Sequence, residues 1–239
     1  MPVGLVGFDK RALDGAACLV GIDEAGRGCL AGPVIAAAVR CEASFYSTSW
    51  CRRNSRGVND SKCLSAEKRA AVVERFRKAC HEKWIQIGIG AATVEEIEEH
   101  NIYHATTLAM RRALAQVLEI EEGTLWKAGN GEGPVTILID GRPIRAFPVS
   151  HRGIVKGDRR SLAIALAGIH AKEHRDTMMR ELDRECPGYG FAVHKGYGTS
   201  QHVEALRQLG PSHHHRPSFL GKVLSEEAEQ PQVSQDSLF

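Results

Sequence analysis

Apolar runs separated by polar and glycine-rich turns divide the chain into alternating strand and helix segments. Two short runs, residues 18–22 and 34–39, flank a Gly-Pro turn and predict the two strands of a hairpin. Isoleucine occupies every second position over residues 85–89, which is typical of a half-buried strand. The stretches "VTILID" and "RGIVKGD" predict two further strands, which end on Asp140 and Asp158.

Helical periodicity occupies most of the chain between and after these strands. Ser65 is placed to cap an amphipathic helix that extends to about Cys80. Helical patterns also cover residues 94–99 and 102–118, and a long pattern with an alanine-rich face covers residues 159–186. Strands followed by helices, then strand and helix again, predict an α/β domain with a mixed sheet.

Four remaining segments lack a strong pattern. Residues 1–17 are interrupted by glycine and charge, which predicts a flexible N-terminal lead-in, and residues 41–57 predict an irregular, insertion-like loop. Residues 186–202 are interpreted as a loop ahead of a short helix. Residues 223–239 are acidic and polar enough to predict a disordered tail.

Composition limits the class of protein more than it identifies one. The 239 residues suit one medium-sized domain, and the formal net charge of +2 provides no strong field for recruiting a polyanion. Any nucleic-acid site must therefore arise from local clustering of charge. The seven cysteines include no C-x-x-C pair, and no apolar stretch approaches the roughly 18 residues that span a bilayer. We expect a cytoplasmic protein that has no membrane partner and acts as a monomer.

Four carboxylates share a position at the ends of apolar strands: Asp23, Glu24, Asp140 and Asp158. An α/β sheet usually presents its ligand-binding edge there. Gathered carboxylates repel one another unless cations bridge them, and Mg²⁺ or Mn²⁺ is the natural cation for oxygen ligands. A pair of such ions about 3.5–4 Å apart supports phosphodiester hydrolysis without a nucleophilic side chain. Any one of these acids alone is more often a solvated turn residue, so the prediction depends on their coincidence.

One feature of this cluster needs a structural device. Neighbouring residues on a regular strand point to opposite faces, so Asp23 and Glu24 require a local distortion to face the same metal pair. Gly26, just downstream, is suited to provide the bend.

The motifs "GIDEAGRG", "LAGPVIAAAV", "NDSKCLS", "LIDG", "VKGD", "AKEHRD" and "HKGYGT", in this order, resemble those of the type 2 ribonucleases H, specifically bacterial ribonuclease HII. The resemblance implies a ribonuclease H-like mixed sheet flanked by helices, with a helical C-terminal extension, over a catalytic domain of residues 18–222. It implies endonucleolytic cleavage of RNA in RNA–DNA hybrids and of single ribonucleotides embedded in duplex DNA, as in ribonucleotide and primer removal. The products implied are a 3′-hydroxyl and a 5′-phosphate.

The resemblance also implies residue roles. The catalytic and metal-binding acids fall on Asp23, Glu24, Asp140 and Asp158. Glycines let the main chain approach a ribose 2′-hydroxyl, the group that distinguishes RNA from DNA, and an arginine supplies charge for the flanking phosphate. A tyrosine stacks on the neighbouring deoxyribose, and two lysines are candidate phosphate contacts. The implied substrate-binding residues are Gly26, Arg27, Gly28, Tyr197, Lys62 and Lys195.

Some positions depart from the family pattern. Gly168 stands where a small polar residue is common, and His170 adds a titratable group, so both bear on rate and metal preference. Asp176 is interpreted as a structural partner of Arg175 or Lys172. The run "HHH" that ends at His215 favours a solvated or phosphate-near cluster over a closed metal site.

Two other functions remain open at this stage: a hybrid-binding module that has lost turnover, and a junction resolvase of the same fold, which would not need a 2′-hydroxyl. The last five residues, "QDSLF", begin at Gln235 and end at Phe239. They resemble the sliding-clamp-binding peptides of bacterial replication proteins, because a glutamine, two spacers and a Leu-Phe pair suit docking into a preformed groove.

Overall fold

A mixed five-stranded sheet organises the fold. The computed structural model describes residues 4–58, 60–124 and 135–225, apart from the side chains of Lys62 and of residues 222–225. Its strands are β1 (Cys18–Ala25), β2 (Val34–Glu42), β3 (Ile85–Ala92), β4 (Val135–Asp140) and β5 (Arg152–Ile154). Its α-helices are α1 (Leu5–Ala12), α2 (Ser49–Asn54), α3 (Ala66–His81), α4 (Val94–Leu118), α5 (Leu162–Glu185), α6 (Phe191–His194), α7 (Ser200–Leu209) and α8 (Pro217–Ser225).

The strand order is β3-β2-β1-β4-β5. Strand β1 pairs antiparallel with β2 and parallel with β4, and β4 pairs parallel with β5. The central strand β1 is buried along nearly its whole length, as its apolar sequence requires. This topology confirms the predicted α/β class and places the C-terminal ends of β1 and β4 side by side.

Glycines allow helices to approach the sheet closely. A Cβ at Gly21 of β1 would meet the backbone of α5 at Ala163 and Ile164. A Cβ at Gly90 of β3 would meet the backbone of α4 at Ala109 and Ala113. Because no side chain intervenes at these points, α5 packs directly on β1, which carries Asp23 and Glu24, and α4 packs directly on β3.

The chain divides into two compact units. The first contains the described parts of residues 1–27 and 33–178, with the sheet and a large apolar core. The second contains residues 28–32 and the described part of residues 179–239, with a smaller core that includes Phe191 and Leu206. The boundary falls within α5. The second unit supplies the helical C-terminal region that the resemblance implies.

The predicted N-terminal lead-in is wrong for the described residues. Leu5–Ala12 forms a helix, and Asp9 on that helix is fully buried. Its carboxylate accepts hydrogen bonds from the hydroxyl of Tyr46 (3.1 Å) and the amide of Ala163 (3.0 Å). The amphipathic pattern of this helix is short, so it was not recognised from the sequence.

Three other expected boundaries also change. Residues 41–57 contain α2 and bury Phe45 and Tyr46, because their aromatic rings join Trp50 and Phe76 in a cluster beneath the loop. The segment 186–202 contains α6 and the start of α7. Helix α8 continues to Ser225, three residues into the expected tail, and residues 226–239 lie outside the described residues.

Within the described ranges, no helix is long and apolar enough to cross a membrane.

Candidate active site

The acidic pair Asp23-Glu24 lies near the end of β1. Pairing with β2 is regular from Cys18 to Ala25, so the expected distortion within the strand is not found. Asp23 is 9% exposed and points toward Gly168 of α5, whereas Glu24 lines a pocket on the side of α4. The amide of Glu24 donates a 2.8 Å hydrogen bond to the Asp23 carboxylate.

Asp140 ends β4, the strand parallel to β1. Ile22 pairs with Ile139 in that ladder, which brings Asp140 to the same sheet edge as Asp23. One oxygen of Asp140 accepts a 2.6 Å hydrogen bond from the amide of Gly157. This contact fixes the carboxylate against the turn that carries the next acid.

Asp158 reaches the site from a 3-10 turn rather than from a strand end. Strand β5 stops at Ile154, and Lys156 adopts a left-handed conformation (φ 55°) that starts the turn Gly157–Arg159. The prediction that the strand closes on Asp158 is therefore wrong, although the acid still lies beside the others. Its pKa is raised by burial and by the nearby charges of Asp60 and Asp140.

The charges of the other three predicted acids act on Asp23. The pKa of Asp23 is raised well above its ordinary value, first by burial and then by the charges of Glu24, Asp140 and Asp158. Mutual repulsion of this kind is relieved when a cation binds between the carboxylates.

The donor set fits a hard divalent cation. All four acids offer oxygen, which Mg²⁺ and Mn²⁺ prefer. In the part of the chain that is described, no three His, Cys, Asp or Glu side chains enclose a metal position by themselves. Mg²⁺ keeps several waters and usually binds through one or two carboxylates together with substrate phosphates, so a site for it does not require such a group.

The Gly26-Arg27-Gly28 turn follows the acidic pair. Gly26 has φ +94°, and a Cβ there would overlap the side chain of Arg175, which donates to the carbonyl of Pro33 (3.1 Å). Gly26 is therefore required by the fold itself. Exposed Arg27 pairs with Glu24 at 3.2 Å, and a Cβ at Gly28 would meet open space.

The remaining predicted substrate-binding residues are distant in sequence from the Gly26-Arg27-Gly28 turn. Tyr197 is 38% exposed in the second unit. Lys195 ends α6 in a left-handed conformation, and its ammonium donates to the carbonyl of Ala192. The side chain of Lys62 lies outside the described residues.

Buried histidines hold the backbone of Tyr197. Nδ1 of His202 lies 2.9 Å from the Tyr197 carbonyl, and its Nε2 lies 3.0 Å from Nε2 of His215. Nδ1 of His215 accepts from the amide of Ser212 (2.9 Å). When both imidazole rings are neutral, His215 therefore donates to His202, and His202 donates to the carbonyl of Tyr197. The expectation of a solvated cluster is wrong for His215, because its ring is buried beside Tyr189.

Asp60 is a nearby acid that the sequence reasoning missed. It is buried, pairs with Arg159 at 2.9 Å and contacts the thiol of Cys63. Its position within "NDSK", one residue before Ser61, was the available signal. A polar loop gives no indication that one of its acids folds against another.

Asp176 has two cationic partners. Lys172 pairs with one oxygen at 2.7 Å, as expected, and Arg69 of α3 pairs with the other at 3.0 Å. Arg69 also binds Glu173 at 2.6 Å. The network joins α3 to α5 and is structural.

Comparison with known proteins gives a consistent family. The sequence profile described as Ribonuclease HII matches residues 20–222. A ribonuclease HII of Rhizorhabdus wittichii is 44% identical over 201 residues, covering 84% of this chain and 87% of that protein. A ribonuclease HII of Pseudothermotoga lettingae is 40% identical over 217 residues, covering 90% and 83% respectively.

Solved structures show the same fold at low identity. The ribonuclease HII in the PCNA:RNase HII complex from Archaeoglobus fulgidus has a TM-score of 0.64 and 20% identity, covering 90% of this chain and 98% of that one. The ribonuclease H2 of Pyrococcus horikoshii OT3 has a TM-score of 0.62 and 20% identity, covering 89% and 100%.

Proposed function

The chain belongs to the ribonuclease HII family, and on that premise we propose that it cuts on the 5′ side of single ribonucleotides embedded in duplex DNA. Membership makes it an endoribonuclease that acts on RNA–DNA hybrids. The finer proposal includes 3′-hydroxyl and 5′-phosphate products and a mechanism that uses two divalent ions. Its cellular role would be removal of ribonucleotides and of primer RNA.

The observation that carries this proposal is that Glu24, Asp140 and Asp158 lie near Asp23 at the same edge of the sheet, although they come from three separate parts of the sequence. Their charges add to burial in raising the pKa of Asp23. Acids that only occupied solvated turns would not share a field in this way.

In the proposed mechanism, Asp23, Glu24, Asp140 and Asp158 would hold two Mg²⁺ or Mn²⁺ ions, with Asp23 on the α5 side of β1 and Glu24 on the α4 side. The ions would supply Lewis-acid stabilisation of the phosphodiester and a water of lowered pKa. The protein positions these acids before substrate arrives. The amide of Gly157 holds Asp140, and burial against α5 holds Asp23. Such preorganisation lowers the cost of reaching the transition state.

Recognition of the ribonucleotide is assigned to the glycine turn and the stacking tyrosine. The open space at Gly28 supports a role in which substrate, rather than protein, approaches its Cα. Arg27 would bind the flanking phosphate and Tyr197 would stack on the next sugar, with Lys62 and Lys195 as further phosphate contacts.

Cleavage assays separate this function from the two alternatives. A duplex with one ribonucleotide should be cut in Mg²⁺ and left intact in EDTA, whereas the all-DNA duplex should resist in both. A junction resolvase would not require the 2′-hydroxyl, and a binding module would cut neither duplex. Persistent cleavage in EDTA would contradict the metal mechanism.

Asp140→Asn provides the matched variant for this test. The amide is isosteric but cannot supply the same anionic ligand, so turnover should be abolished while duplex binding is largely retained. Product ends should be mapped by ligation, which requires a 5′-phosphate beside a 3′-hydroxyl. Retention of wild-type turnover by this variant would remove Asp140 from the catalytic set.

We also propose that the C-terminal peptide from Gln235 to Phe239 binds a sliding clamp. It lies outside the described residues, so its sequence carries the proposal, supported by the Archaeoglobus fulgidus relative solved with PCNA. The full chain should retain the clamp in a pull-down and the chain lacking these five residues should not. Equal retention would discard the idea.

A further inference from the structure

Two adjoining pockets form a groove that begins at the catalytic acids. The first, about 300 Å³, is lined at one end by Glu24 and Asp140 and extends past Tyr103 and Arg142. The second, about 360 Å³, shares Thr107 with the first. Its cationic and imidazole lining consists of His100, His104, Arg111 and Arg145.

The charge of the groove changes along its length. The end at Glu24 and Asp140 is acidic, whereas no acidic residue lines the second pocket among the residues described. Arg142 and Arg145 are exposed, and in the described part of the chain neither guanidinium makes an ion pair or hydrogen bond with a protein group. Arg111, in contrast, pairs with Glu122 at 3.5 Å. Two uncommitted guanidiniums are therefore available for phosphates.

The loop that carries these arginines is held in place. The hydroxyl of Tyr103 accepts a 3.2 Å hydrogen bond from the amide of Arg145, and Nε2 of His151 accepts one of 3.0 Å from the amide of Ile144. Tyr103 is 40% exposed. A fixed loop loses less conformational entropy when it binds a ligand.

Helix α4 is interrupted, and its second segment begins beside the groove. Asn101 has φ +63° and interrupts the helix, and its side-chain oxygen accepts from the amides of Tyr103 (2.9 Å) and His104 (3.3 Å). This cap fixes the first turn of the second helical segment. Residues 104, 107 and 111 then follow at helical spacing along the groove.

We propose that this groove binds the sugar-phosphate backbone of the substrate beyond the catalytic acids, with Arg142 and Arg145 on phosphates and Tyr103 stacked on a sugar or base. The inference rests on the proposed function, because it assumes that the scissile phosphate lies at Glu24 and Asp140. It explains how a chain with a net charge of only +2 gathers the local positive charge that a polyanion requires.

The experiment measures binding without turnover. The dissociation constant of full-length protein for a short fluorescent RNA–DNA hybrid is measured in EDTA over a series of salt concentrations. Arg142→Ala and Arg145→Ala should each weaken binding about five- to tenfold, and each should reduce the slope of log affinity against log salt by about 1. Arg53→Ala, on α2 and bordering neither pocket, removes the same charge and should change neither quantity.

Lysine variants distinguish a phosphate contact from a change in fold. Arg142→Lys and Arg145→Lys should retain the wild-type salt slope, because the positive charge remains. Alanine variants that bind as tightly as wild type, or lysine variants that lose the slope as alanine does, would overturn the proposal.

The same measurements keep the two proposals separate. If wild type fails to cut the ribonucleotide-containing duplex, the proposed function falls, whatever the binding data show. If wild type cuts it while Arg142→Ala and Arg145→Ala bind like wild type, only the groove assignment falls.

Discussion

Gly168, which has no side chain, packs directly against the carboxylate of Asp23. A Cβ built at Gly168 overlaps one oxygen of Asp23 and lies 3.3 Å from its carboxyl carbon. Helix α5 therefore has room for this acid only because residue 168 lacks a side chain. The glycine at position 168, where a small polar residue is common in the family, therefore affects the position of the Asp23 carboxylate.

Gly168→Ala should lower kcat by about a hundredfold, because a displacement of about 1 Å in a catalytic group has an effect of that size. The measurement is steady-state cleavage of a duplex that carries one ribonucleotide. Gly221→Ala on α8, where a Cβ meets open space, is the matched control and should leave kcat unchanged. An unaltered kcat in Gly168→Ala would mean that Asp23 moves freely or does not act.

Alanine substitutions at the two glycines around Arg27 should have different effects. Gly26→Ala should reduce the free energy of unfolding by about 2 kcal/mol or more, because φ +94° is unfavourable for alanine and Arg175 must move. Gly28→Ala should leave unfolding in urea unchanged and raise KM for the ribonucleotide substrate. A Gly28→Ala protein with wild-type KM would remove this residue from substrate recognition.

Arg69→Ala should destabilise the protein by about 3 kcal/mol or more. It leaves Asp176 and Glu173 with less compensation, and Arg69 also donates to the carbonyl of Leu64 at 2.9 Å. Arg77→Ala, which breaks an exposed pair with Glu74, should cost less than about 0.5 kcal/mol. Urea denaturation of the two variants provides the comparison, and equal losses would contradict this assignment.

The buried histidine chain predicts a specific dependence of stability on pH. Burial lowers the pKa of His202 and His215 from the ordinary 6.5 to about 4. Between pH 6.5 and about pH 4, the two histidines are mostly protonated in the unfolded state and mostly neutral in the folded state. The stabilisation from the neutral pair is therefore complete above about pH 6.5 and is lost as pH falls toward about 4.

His202→Asn tests this linkage. Its amide can still donate to the Tyr197 carbonyl but does not titrate in this range. The variant should be less stable than wild type at neutral pH, and the gap should narrow as pH falls toward 4 in urea denaturation. Comparing the two proteins cancels the opposing contribution of Asp9, whose pKa is raised to about 6 by burial. A constant gap would show that His202 does not titrate as inferred.

Much of the sheet could be predicted from the sequence because its strands are continuous or alternating apolar runs. The end of β4 at Asp140 follows directly from its apolar run, whereas β1 continues through Asp23 to Ala25, three residues beyond the predicted strand of residues 18–22. The two helical segments on either side of Asn101 were also predicted, because α4 keeps its apolar spacing on each side of the interruption.

Features set by tertiary contacts were missed. Helix α1 is short and stabilised by burial of Asp9, which its own sequence does not predict. Asp158 lies on a turn that depends on the left-handed Lys156, and Asp60 becomes part of the site only when its loop folds against Arg159. In each case the deciding partner is distant in sequence or depends on a backbone conformation that composition does not specify.

Residues 28–32, part of the connection between β1 and β2, have a consequence for biosynthesis. The amides of Leu30 and Gly32 donate to the carbonyls of Gly196 and His214, both at 2.8 Å. A ribosome makes those acceptors more than 160 residues later. The nascent chain can pair β1 with β2 early, yet residues 28–32 obtain both partners only after residue 214 has been made. Activity should therefore be absent from a translation intermediate that ends before residue 214.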